Sequence, residues 1–250
     1  MQILRPQMDA EGCQTRFVSE MQEVSVTTAP FSFCPITHTF TRADGTEVPS
    51  VTQVLAKAGI IAYSFVSEEI REYSLKRGTS VHWMLQLEDE GALNYRTVPK
   101  RLRGYRRAYT SWRERADFRP LKIEYQFVSD YGFAGIIDRI GSFTDKALLL
   151  TVVDLKTGPI AEWVRYQLAA YSVGIEPNLK KAKYIRRVAL RVGDNGLYQV
   201  REFPMASFDT DWAKFYEALE KTNGSLRGNA AAGNRTQAAG VDGHRTLEVG

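Results

Sequence analysis

The chain has 250 residues, 44% of them apolar, with 33 basic against 29 acidic side chains and a net charge of +4. This is enough for one large domain or two small ones with a sizeable core, and so mild a basicity does not by itself demand a nucleic-acid partner. Two cysteines, Cys13 and Cys34, exclude a disulfide framework and a four-cysteine zinc or iron–sulfur site. With no signal-peptide pattern at the N-terminus and no apolar run near the ~20 residues that cross a bilayer, the expectation is a soluble, reducing, cytoplasmic setting with no membrane.

Residues 1–35 show no clear period and are expected to form an arm. From Ile36 to Val48 the pattern alternates around Asp44-Gly45, a hairpin signal. Ser50 is placed to cap a helix that ends near Gly59, and two further helices are expected, over Ser67–Lys76 and from Thr79 to about Gly91. The stretch from Pro99 to Phe118 is a basic helix with Tyr105, Tyr109 and Trp112 at helical spacing among Arg101, Arg103, Arg106 and Arg107. Two readings compete for it: a solvated face over a core stripe, or a groove in which arginines follow phosphates and Tyr105 and Tyr109 stack on bases.

Three strands follow, Lys122–Val128, Phe133–Ile140 and Ala147–Lys156, with connections short enough for an antiparallel meander. A helix over 160–173, a strand over 183–192, a hairpin partner over 197–203 and a last helix to about Lys221 complete the pattern. The composition then turns to Gly, Ala, Asn, Thr and Arg, and 222–250 is expected to be a disordered tail. One domain over 36–221 follows, an α/β (α+β) fold with a mixed central sheet flanked by helices in the order αβββαβ.

The chemistry concentrates where the third strand meets the next helix. Asp154 and Lys156 are two apart at the end of an apolar strand and so point the same way. Gln167 and Tyr171, at i and i+4, share one helix face. Asp138 lies on the neighbouring strand, where strand pairing brings its carboxylate toward Asp154. Two carboxylates at the edge of a core are costly unless a cation offsets them, and oxygen donors suit Mg²⁺ or Mn²⁺. Lys156 beside them can orient or deprotonate water and neutralise developing charge. This donor set points to a metal-dependent phosphodiesterase.

Asp-x-Lys alone is a weak motif; its placement gives it weight. Arg77-Gly78-Thr-Ser-Val-His82, Glu124, Gly135-Ile-Ile-Asp138, Asp154-Leu-Lys156-Thr-Gly158 and Gln167-Leu-Ala-Ala-Tyr171 together resemble the PD-(D/E)XK nuclease superfamily, in particular its RecB-like and viral or phage exonuclease branch. The resemblance spans about Arg77 to Tyr171, and Pro49-Ser-Val-Thr-Gln-Val-Leu55 is similar to the segment before the core of such proteins. It implies a restriction-endonuclease-like core and assigns roles position by position. His82, Asp138, Asp154 and the Leu155 carbonyl would be metal ligands, and Lys156 the catalytic lysine. Gln167 and Tyr171 would position the lysine or the DNA, and Glu124 would hold a second metal or touch it through water. Relatives with an iron–sulfur cluster carry four cysteines, so the two here favour the cluster-free branch.

The expected activity is an exonuclease on DNA, single- or double-stranded, in recombination, repair or phage replication, alone or with a separate recombination or replication protein. The rivals are a structure-specific endonuclease on the same fold, a DNA-binding recombination factor without turnover, and an RNA-processing enzyme. Bland alternatives stand beside each assignment. His82 alone would read as a half-buried histidine, Asp154 and Lys156 as a structural ion pair, Gln167 and Tyr171 as ordinary helix residues, and Glu124 as part of a polar strand face.

Overall fold

The computed structural model describes residues 14–15, 30–61, 67–144 and 149–222. Most of the expected N-terminal arm and the expected tail beyond Thr222 lie outside these residues.

Two sheets are present among them. The smaller is antiparallel, in the order β1 (Gln14–Thr15), β2 (Phe31–Cys34), β3 (Thr39–Arg42), β4 (Glu47–Val48). The β3–β4 hairpin turns at Asp44-Gly45 as the sequence predicts: Gly45 takes φ +83° and the Asp44 carboxylate accepts from the Thr46 amide at 2.9 Å. Phe33, Phe40 and Val48 pack this sheet onto Val128 and Ala134 of the main domain.

Helix α1 (Val51–Lys57) starts in a capping box, with Ser50 and Gln53 each accepting from the other's backbone amide. Helix α2 (Glu68–Asp89) corrects an expectation. The sequence predicts two helices parting near Gly78, and the structure has one helix of 22 residues. A mid-helix glycine costs only about 1 kcal/mol relative to alanine, and no proline intervenes to stop the hydrogen-bond ladder. Helix α3 (Arg103–Arg115) follows, entered by a short 3₁₀ turn over Lys100–Leu102.

The main sheet has five strands in the order β5 (Phe118–Val128), β6 (Ala134–Phe143), β7 (Thr151–Lys156), β8 (Arg186–Val192), β9 (Tyr198–Phe203). Only β7 and β8 run parallel, and the crossover between them carries α4 (Val164–Ile175) and the short α5 (Leu179–Ala182). Strand β5 begins four residues before the expected Lys122. Strand β7 begins at Thr151; Ala147 and Leu148, its expected start, lie outside the described residues. A last helix, α6 (208–222), runs through Thr222, the residue at which a disordered tail was expected to begin, and buries it.

Helices cover both sheet faces. One core joins α1, α4 and α6 to Ile140, Val152 and Ala189; the other joins α2 and α3 to Val153, Leu155, Val188 and Leu190. The alternation of Val152 with Val153 and of Val188 with Ala189 is the period-2 pattern of strands buried on both sides. Asp154 has the parity of Val152, so it faces α4. This mixed sheet between helix layers is the architecture of a restriction-endonuclease-like core, as the sequence predicts. Gly174 lets α4 press onto the sheet, since a Cβ there would lie 2.2 Å from the Phe127 ring.

Candidate active site

The site forms where β6 and β7 part. Their ladder has three pairs, Arg139↔Val153, Ile140↔Val152 and Gly141↔Thr151, and ends there. Beyond it Leu155 is paired with no main-chain group of β6, and its amide donates instead to the Asp138 carboxylate at 2.5 Å. Asp138 lies within β6 rather than at its end and is 8% exposed.

Glu124 is its counterpart on β5. The pairing runs Ile123↔Arg139 and then Tyr125↔Ile137, skipping Glu124 and Asp138, and Glu124 adopts φ +48°. A non-glycine residue in that region costs on the order of 1–3 kcal/mol and persists only where its surroundings hold it. The strand's alternation breaks at the same place. Ile137 packs in the α4 core, whereas Arg139, two residues on, turns to Asp89 of α2. Simple alternation would have put both on one face.

The gap admits residues from both layers. From α2, His82 Nδ1 approaches Asp138 Oδ1 to 3.2 Å. His82, Glu124 and Asp138 each offer a ligand atom, and these atoms lie within 4.8 Å of one another. From β7, Lys156 Nζ lies 2.7 Å from Asp154 Oδ2 and donates to Gln167 Oε1 at 3.2 Å. Gln167 Nε2 in turn donates to the Tyr171 hydroxyl at 2.7 Å, so the i,i+4 pair read from the sequence is a relay that ends on the lysine. The Trp163 ring lies 5.3 Å from Lys156 Nζ and closes the same side. Gly135 gives Tyr171 room, because a Cβ there would sit 3.0 Å from its ring.

Burial and charge pull these groups apart. Burial lifts Glu124 to about 7, and the Asp138 carboxylate pushes it the same way. Burial also opposes the charge on Asp138, but the neighbouring His82 and Lys156 hold it below the usual carboxylate range. For His82 burial disfavours the imidazolium, yet Asp138 outweighs it and the group is raised. Asp154 is raised by burial despite the nearby ammonium of Lys156. The buried Tyr171 hydroxyl is raised as well, by burial and then by Asp154.

This donor set fits a divalent cation. Three carboxylates and one imidazole border one gap, and Asp154 Oδ2, although close to Lys156, is buried and accepts no hydrogen bond of good geometry. An oxygen so placed is suited to a hard ion. Asp154 stands outside the compact His82–Glu124–Asp138 group, across the gap on β7.

Two residues escaped the sequence reading. Arg139 is fully buried and donates to Asp89 Oδ2 at 2.5 Å, to Glu124 Oε1 at 3.1 Å and to the Asp138 carbonyl at 2.5 Å. Asp89 is held by Tyr109 and Arg113 as well. The signal was a charge inside the apolar run Gly135-Ile-Ile-Asp-Arg-Ile-Gly141, which a core tolerates only when paired.

The basic helix needs correction. Tyr105 and Tyr109 are 5% and 0% exposed, so they form the core stripe and offer no ring face to a base. Arg106 is committed to Glu88 at 2.8 Å and lies over the Tyr95 ring. Arg101 and Arg103 are exposed, the latter donating to the Val98 carbonyl at 3.2 Å.

No curated protein matches the chain. Among solved structures, the crystal structure of LHK-Exo in complex with dAMP is similar over 74% of this chain and 94% of that one, with 11% identity and a TM-score of 0.29; so faint a likeness adds nothing to the functional reading. The sequence matches the family model of the PD-(D/E)XK nuclease superfamily over residues 28–240, most of its length. With the sheet, the forked strands and the carboxylate–lysine cluster in place, the chain belongs to the PD-(D/E)XK nuclease superfamily.

Proposed function

We propose that this nuclease is a Mg²⁺- or Mn²⁺-dependent deoxyribonuclease that degrades DNA from its ends. The observation that carries the reading is the fork between β6 and β7. There His82, Glu124 and Asp138 converge within 4.8 Å, beside Lys156 paired with Asp154 and bonded to Gln167. Exonuclease action rests on the likeness of the motifs to the RecB-like and viral branch.

In this reading His82, Asp138, Asp154 and the Leu155 carbonyl hold the cation, and Glu124 reaches it directly or through water. When bound, the cation offsets charge on the scissile phosphate and activates water near neutral pH. The chain's own residues do the rest. Lys156, anchored by Asp154 and Gln167, orients the attacking water and offsets the charge that develops on the phosphate oxygens. Tyr171 fixes the Gln167 amide and thereby the lysine. Asp138 takes the Leu155 amide and so sets the position of β7 at the fork. Arg101 and Arg103, exposed on the approach to α3, remain candidates for backbone contacts with DNA. The setting we propose is cytoplasmic, with a recombination or replication protein as partner.

The test is nuclease activity on end-labelled linear DNA and on covalently closed circles, single- and double-stranded, with Mn²⁺, with EDTA and with Lys156→Ala. Metal-dependent loss of linear DNA alone is expected, with the substitution lowering the rate by roughly 10²- to 10⁴-fold. Cleavage of circles would replace this reading with an endonuclease. Survival of every substrate, with DNA binding intact, would replace it with a binding factor.

A further inference from the structure

We infer that Arg139 is a positioning residue which, braced by Asp89, turns the Glu124 carboxylate toward the cation. The inference rests on the metal-dependent reading above and deepens it.

Arg139 is fully buried, and its partners divide into two sets. Behind it is Asp89, itself 0% exposed in its side chain and gripped by the Tyr109 hydroxyl at 2.7 Å and by Arg113 at 2.5 Å. In front are Glu124 Oε1 at 3.1 Å and the main-chain carbonyl of Asp138. Asp89 closes α2, the helix that also carries His82. One planar guanidinium thus ties the helix of His82 to the two strands of Glu124 and Asp138, and a fork of fixed geometry suits that task better than a lysine.

Glu124 needs such a brace. It skips its own strand pairing, takes φ +48° and faces another carboxylate across the ladder. Arg139 donates to Glu124 Oε1, and in this inference the second oxygen serves the cation. Outer partners of this kind fix a ligand's orientation, and their loss typically lowers metal affinity roughly 10- to 100-fold.

The alternative is that the Arg139–Asp89 pair only holds the core together. A second buried pair separates the two roles. Arg187 and Asp211 meet at 2.8 Å with side chains 0% and 1% exposed, and their partners are Arg165, Ser207 and the Pro204 carbonyl, none of them in the gap.

The experiment measures Mn²⁺ affinity by electron paramagnetic resonance at fixed pH, on variants whose folding is verified by near-ultraviolet circular dichroism. Arg139→Lys is expected to bind Mn²⁺ roughly 10- to 100-fold more weakly than the native chain, and Asp211→Asn within about twofold of it. In a Glu124→Gln background, followed to millimolar Mn²⁺, the Arg139→Lys loss should shrink to about twofold or less. Asp89→Asn, which loosens the brace without emptying it, supplies the same comparison if Arg139→Lys fails to fold. Native affinity in Arg139→Lys, or an equal loss in Asp211→Asn, overturns the inference and leaves the metal site standing. An undiminished loss in the Glu124→Gln background does the same. A native chain that binds no Mn²⁺ overturns the metal reading itself, and this inference with it.

Discussion

Two arginines, Arg139 on β6 and Arg187 on β8, are the largest fully buried side chains among the described residues, and they lie in opposite situations. Each pairs with an aspartate on a helix, and each leaves one nitrogen unpartnered, Nη2 in Arg139 and Nε in Arg187. Around Arg187 the bonds close on themselves: Asp211, Ser207 and two main-chain carbonyls tie α6 and its entry turn to the sheet. Around Arg139 they open onto the gap through Glu124. A buried ion pair is weak evidence for net stability, because desolvation offsets most of the attraction. The closed pair is therefore best understood as fixing where α6 docks, and the open one as carrying the rigidity of the core to a carboxylate that the strand ladder does not hold.

The comparison can be broken at several levels. The largest effect should come from Arg187→Gln, which leaves Asp211 a buried, half-paired charge. Denaturant unfolding should report a loss of about 3–5 kcal/mol, with the DNA-cleavage rate of the folded protein unchanged. A fall in that rate would erase the distinction between the two pairs.

A smaller effect follows from Glu124. Its folded pKa, about 7, lies above the ordinary carboxylate value because burial disfavours the anion. Between the ordinary value and about 7 the folded state holds more of this proton than the unfolded one, so stability falls as pH rises through that window, by up to about 1.4 kcal/mol per pH unit. Unfolding curves of the metal-free protein at a series of pH values, set against Glu124→Gln, should fall more steeply in the native chain than in the variant, where the raised Asp154 and His82 still contribute. Mn²⁺ must displace this proton and that of His82, which is also raised, so its affinity should rise with pH through this window. An affinity that ignores pH across this range would remove Glu124 from the ligand set.

A further effect is expected on α3. Arg106 is partly exposed but its partner Glu88 is nearly buried, so replacement of Arg106 by alanine should cost about 1–3 kcal/mol. DNA affinity should stay unchanged, since the side chain is already engaged. A clear loss of DNA binding would restore the groove that the sequence left open.

The order of the core strands with the helix that follows them, the N-cap at Ser50 and the convergence of Asp138, Asp154, Lys156, Gln167 and Tyr171 were legible in the sequence. They rest on local periodicity and on spacings of two and four residues, which sequence displays directly. What escaped depends on contacts between distant segments. Tyr105 and Tyr109 have the spacing of a core stripe and of a stacking ladder alike, and only the packing against Trp112 and the sheet decides between them. The positive φ of Glu124 and the reversal of facing between Ile137 and Arg139 arise where three strands compete, and no local pattern announces them. Arg139 meets Asp89 across 50 residues of chain. A buried charge declares that a partner exists but not which one.

The parallel pairing of β7 with β8 bears on how the enzyme is made. Every residue proposed for catalysis lies before Ser172, yet β7 is held by only three pairs to β6 and by six to β8. A one-residue slip of β7 would exchange Asp154 for Leu155 at the gap and turn Lys156 to the opposite helix layer. The strand that prevents this slip begins at Arg186 and is reached only after the α4 crossover. A nascent chain emerging from the ribosome thus carries the whole chemical complement of the site before it carries the strand that sets its register. The nuclease stays unassembled until that later segment has been synthesised and docked.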